Sequence, residues 1–134
     1  MRHFTRTMWL GAMLGGALAM VSLPSAAHHS NAMFEKDKTV TLEGVVKEFQ
    51  FTNPHSWLLV DVKGKDGKVV TWGFEAEGPS TLTRAGIHIS DFKPGTKISI
   101  TGRPMKDGSP AASWVSAVRT SDGKTFNPRP STGN

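Results

Sequence analysis

From Thr39 onward the apolar residues recur in period two, which commits this part of the chain to strands. Val40 and Leu42 share one side, whereas Val45, Phe49 and Phe51 have the opposite parity. The change falls at Gly44, and a parity switch at a glycine inside a strand marks a bulge. Strand one is therefore read as long and bent, over residues 39–51, and Asn53-Pro54 ends it. Residues 56–63 make strand two, apolar on both faces through Trp57, Leu58, Leu59, Val60 and Val62. Gly64-Lys65-Asp66-Gly67 is a hairpin turn, because Asp-Gly reaches positive φ at little cost. Residues 68–76 make strand three, with Val70, Trp72 and Phe74 on one face.

The pattern then breaks. Residues 78–86 carry Pro79 where a first helical residue sits and Gly86 where a helix ends, which predicts two helical turns. A Phe92-Lys93-Pro94-Gly95 turn leads into strand four, 97–102, with Ile98 and Ile100 inward. A polar loop precedes strand five, 113–120, and Asp122-Gly123 turns back into a short Lys124-Thr125-Phe126 segment. The expected fold class is all-β with one short helix: a five-stranded OB-like barrel, the helix between strands three and four. A bent first strand can serve both sides of such a barrel. The rival is an open sandwich with the helix as a crossover. Trp57, Trp72, Phe74 and Trp114 are expected in the core, as the large aromatics of a domain with no disulfide to staple it.

The first 27 residues obey other rules. Arg2, His3 and Arg6 form a basic start, Met8 to Leu23 an apolar run, and Pro24-Ser25-Ala26-Ala27 a small-residue exit. That is the layout of a cleaved bacterial signal peptide. The apolar run is shorter than the roughly 20 residues a spanning helix needs, so no stable membrane anchor is expected after cleavage. Localisation is then periplasmic or secreted. Residues 28–38 are read as an arm, 39–126 as the barrel and 127–134 as a disordered tail. Arg2 and Arg6 leave with the leader, so the +5 of the whole chain falls to +3. That charge is ordinary for a soluble domain, and export removes the usual nucleic-acid target. The absence of cysteine excludes disulfides, thiolate chemistry and a lipid-anchored lipoprotein.

Cleavage after Ala27 makes His28 the new N-terminus, so its α-amine and imidazole can chelate one ion. Cleavage one residue earlier gives Ala27-His28-His29, where the amine, two backbone amides and the third residue's imidazole could bind in a plane. The first set of nitrogens suits Cu(II), and the second Cu(II) or Ni(II). The candidate metal ligands are His28, His29 and His55. His55 lies in the connection between strands one and two, a ligand-binding loop in OB-type barrels. The eleven arm residues can span about 36 Å, enough to run back to it. Asn53, His55 and Trp57 are the candidate ligand-binding residues, with a turn-capping role as the plainer reading of His55. His88, between two isoleucines, ranks below His55, and Glu35, Asp37, Glu75 and Glu77 are read as solvated carboxylates. No thiol, nucleophile elbow, H-E-x-x-H or phosphate loop is present, so no catalytic residues are assigned.

Three segments carry a resemblance: Ala27-His28-His29-Ser30, Asn53-Pro54-His55-Ser56-Trp57, and Leu82-Thr83-Arg84-Ala85-Gly86 with the Lys93-Pro94-Gly95 turn. Through them the chain resembles a family of small exported bacterial proteins known only as a domain of unknown function. Ile87 stands where that family usually has Trp, and Glu35 where it usually has Asp. The resemblance implies an exported barrel and no activity. Three functional readings follow. The first is a periplasmic binding or accessory module holding copper at His28, His29 and His55. The second is a metal-free barrel binding an oligosaccharide or peptide. The third is a copper-dependent redox enzyme.

Overall fold

β1 (Val40–Gln50) divides its length between two neighbours, and that division is what lets the sheet close. Its first half pairs with β4 (Lys97–Pro104), from Val40 opposite Gly102 to Val45 opposite Lys97. Its second half pairs with β2 (His55–Lys63), from Val45 opposite Asp61 to Gln50 opposite Trp57. The structure, a computed structural model, describes residues 32–129; the proposed leader with His28 and His29, and residues 130–134, lie outside them.

β2 and β3 (Val69–Glu77) form an uninterrupted antiparallel hairpin. Its turn is the expected one: Gly67 has φ +81° and donates its N–H to the Gly64 carbonyl at 3.0 Å. β5 (Ala111–Arg119) lies antiparallel to β4, and parallel to β3 over three residue pairs. The order β3-β2-β1-β4-β5 with this β3–β5 closure makes a five-stranded OB-like barrel. β6 (Thr125–Phe126) adds a short strip along β5. Among the described residues the one α-helix, α1 (Pro79–Arg84), falls between β3 and β4 as expected, with Pro79 in its first turn. A 3-10 turn at Ile89–Phe92, not foreseen, follows it and drops Phe92 into the core.

The bulge expected at Gly44 lies further on. The β1–β2 register shifts between Val46 and Glu48. Val45, expected inward, is 38 % exposed, and Val46 is 2 % exposed. The inward parity therefore runs Leu42, Gly44, Val46 and changes only past Lys47, to Phe49. Gly44 has a different task. A Cβ there would lie 2.6 Å from the Asp61 carbonyl oxygen, so only glycine lets β1 cross β2 this closely.

The core is aromatic at one end. Phe92 meets Trp114 edge-on at 5.2 Å and Phe126 at 4.7 Å, and Phe49 meets Phe92 at 5.5 Å. Phe74 and Trp114 are buried as expected, and Trp72 is half-buried against the core. Trp57 is not a core residue: it alternates with buried Ser56 and Leu58 and faces outward. Residues 127–129, expected at the start of the tail, pack on the barrel, with Pro128 buried and Arg129 bonded to Glu77.

Arg119 ties the end of β5 to the 3-10 turn, reaching Asp122 at 2.6 Å and Asp91 at 3.3 Å. The Arg119 guanidinium and the Lys124 N–H hold the Asp122 carboxyl down to about 2. A carboxyl depressed in the fold stabilises above its unfolded value, about 3.9, and that contribution is lost as pH falls through the folded value. The melting temperature of Asp122→Asn is accordingly expected below wild type at pH 6, with the gap closing between about pH 4 and pH 2. Thermal melts across that range check it; a gap independent of pH would contradict it.

Candidate functional site

The segment between β1 and β2 is held by its own side chains. Thr52 Oγ1 donates to the His55 carbonyl at 3.2 Å, and fully buried Ser56 donates Oγ to the Thr52 carbonyl at 3.4 Å. The Asn53-Pro54 peptide is cis. Gly78, at the entry to α1, lies against this turn: a Cβ there would meet Asn53 Oδ1 at 2.7 Å. Asn53 itself is exposed.

His55 opens β2 on the outer side of the barrel, with 28 % of its side chain exposed. Its Nδ1 lies 3.1 Å from Glu75 Oε1, a diagonal cross-strand contact. Glu75 is only 7 % exposed. Burial pushes its carboxyl above the ordinary carboxylate range; His55 and then Arg129 pull it back, while Glu77 pushes it up. An imidazole set against a carboxylate through Nδ1 keeps Nε2 for an external ligand. Two residues on, Trp57 lies across Gly73, where an added Cβ would come within 3.1 Å of the indole. A continuous row thus crosses the outer face in register: Trp57 opposite Glu75, Glu75 beside Ser113, Ser113 opposite Arg103.

A family profile covers residues 17–113, well over half of the chain. The chain belongs to that family, DUF6152, a family of unknown function. No curated protein and no solved structure matches the chain.

The structure brings His55 and Trp57 onto one face and leaves Asn53 in the adjoining turn. His28 and His29 lie outside the described residues. Among the described residues, no three His, Cys, Asp or Glu side chains gather as metal ligands, so His55 and Glu75 stand as a pair. His88 is exposed, and its backbone N–H donates to Asp91 at 2.9 Å. Glu75 is the residue that reasoning from the sequence passed over, as a solvated carboxylate. A signal for it existed: counting outward from the 64–67 turn puts His55 opposite Glu77 and diagonal to Glu75.

Proposed function

We propose that the protein is an exported, periplasmic binding or accessory module that holds a copper ion at His55, with His28 and His29 as further nitrogen donors. The observation that carries this reading is the His55–Glu75 pair: a half-exposed imidazole with a buried carboxylate 3.1 Å from Nδ1. Ligating histidines are commonly oriented this way by a carboxylate on the other ring nitrogen. Imidazole and amine nitrogens together suit Cu(II). The described part of the arm favours the set, because residues 34–36 lie on the side of the barrel that carries His55. Phe34 bridges to Met105, and the arm residues Glu35 and Lys36 share a cleft with Arg129, which bonds Glu77 opposite His55.

The test is a Cu(II) titration by calorimetry on mature protein with its native N-terminus. Saturable binding is expected, lost in the His28→Ala, His55→Ala double variant. Glu75→Gln, which removes the charge at constant shape, is expected to weaken copper by about 10–100-fold, the usual cost of losing an orienting partner. Copper affinity unchanged in the double variant would end this reading. The outward Trp57 ring over Gly73 favours one alternative, a metal-free site stacking an oligosaccharide or peptide. Trp57→Ala would then abolish binding that the histidine variants retain.

A further inference from the structure

A second feature of the same side of the barrel concerns charge and does not rest on the copper reading. Between the arm and the sheet lies a cleft of about 420 Å³, lined by Phe34, Glu35, Lys36, Arg103, Ser113 and Arg129. That is the size of small-ligand sites in general. Its floor belongs to the cross-strand row: Ser113, 5 % exposed, stands between Glu75 and Arg103 in the sheet. Arm and sheet are joined by backbone bonds on both sides of Phe34, Glu35 N–H to the Pro104 carbonyl and Lys106 N–H to the Met33 carbonyl, both 2.9 Å. The cleft wall is therefore part of the fold.

The charges in this cleft are unevenly matched. Glu35, the one acidic residue among the described residues that line it, already pairs with Lys38 at 3.3 Å. Arg129 bonds Glu77 through Nε, and its two terminal nitrogens make no hydrogen bond among the described residues. The carboxylate nearest in the row, Glu75, takes His55 as its partner. Arg103 and Lys36 make no ion pair among the described residues. A half-buried guanidinium with no ion pair among the described residues, in a cleft shared with a second guanidinium, an ammonium and a hydroxyl, suits an oxyanion in sign and in hydrogen-bond donors.

We propose that the cleft between the arm and the β4–β5 face is a binding site for a small oxyanion, a phosphate or a dicarboxylate. Arg103 forks onto it, Arg129 and Lys36 flank it, and Ser113 donates from the floor. The test is calorimetry on the full mature chain at low ionic strength, with inorganic phosphate in one arm and succinate in the other. Saturable one-to-one binding of at least one probe is expected. Arg103→Ala should weaken it about tenfold or more, the scale of one charge-assisted bond. Lys36→Glu, an exposed change that leaves the sheet intact, should weaken it likewise. Lys97→Glu, at the far end of β4, should leave it unchanged. Tighter phosphate identifies a phosphoryl group as the natural partner, and tighter succinate a carboxylate. Absence of saturable binding by either probe, or equal loss with Lys97→Glu, overturns the proposal. Copper binding follows His55 and oxyanion binding follows Arg103 and Lys36, so each reading fails separately.

Discussion

Trp114→Ala is expected to cost about 4 kcal/mol, the range for truncating a buried aromatic, and so most of the margin of a domain this size. Trp114 is 1 % exposed and meets Phe92 at 5.2 Å and Phe49 at 6.2 Å, both edge-on. Truncation removes an edge-on partner from both rings and leaves a void in the core. The midpoint of thermal unfolding should fall by roughly 20 °C. Trp114→Phe should behave very differently. Among the described residues the indole Nε1 finds no acceptor, and a buried unpaired donor costs about 1–3 kcal/mol. Phenylalanine keeps an aromatic edge and removes that donor, so its net cost is expected below about 1.5 kcal/mol. Urea unfolding of the two variants measures the difference. If both lose equally, the indole N–H is not a liability and its polar group is satisfied elsewhere.

Gly44→Val is expected to cost about 3 kcal/mol by overpacking. Gly44 is where β1 passes from one partner to the other: it pairs with Ile98 of β4, and the next residue pairs with both Lys97 and Asp61. A Cβ would meet the Asp61 carbonyl oxygen and Val60 Cγ1, each at 2.6 Å. Val60 is fully buried, and the Asp61 carbonyl is backbone, so neither moves without displacing β2. Since β2 begins at His55, the displacement should also weaken the copper binding proposed there. Glu43→Val, one residue earlier and exposed, supplies the control and should stay within about 0.5 kcal/mol of wild type. Equal losses at the two positions would mean that strand propensity, not the close crossing, governs this part of β1.

These positions show how far each level of description reaches. The hairpin was legible because Asp66-Gly67 is a local turn signal and needs no tertiary partner. The helix was legible because Pro79 and Gly86 act through their own backbone dihedrals. The bend in β1 was legible in outline, since the apolar parity does switch along it. The placement of the bulge was not, because Gly44 and Lys47 both lie where a register change is possible. Only the approach of β2 to within contact of Gly44 separates the two roles. Trp57 was misplaced for a similar reason. An apolar residue in a strand apolar on both sides carries no sign of which face is covered. Bare Gly73 across the hairpin provides its seat.

The candidate site divides along the same line. Local pattern alone marked His55, in a turn-bounded loop at the start of β2, and it determined the element order that makes a closed barrel possible. Closure itself, through β3 meeting β5, is a pairing between residues such as Glu75 and Ser113 that are far apart in the chain. No local propensity encodes it; it follows from burying one apolar face of each strand around a common core. Glu75 changes from a solvated carboxylate to a buried partner of His55 by the same act. Arg103 likewise comes to face a cleft roofed by the arm. Residue types and their periods thus determined strands, turns and a candidate histidine. Which charges stand together, and which lack a partner, was decided only when the barrel brought distant strands side by side.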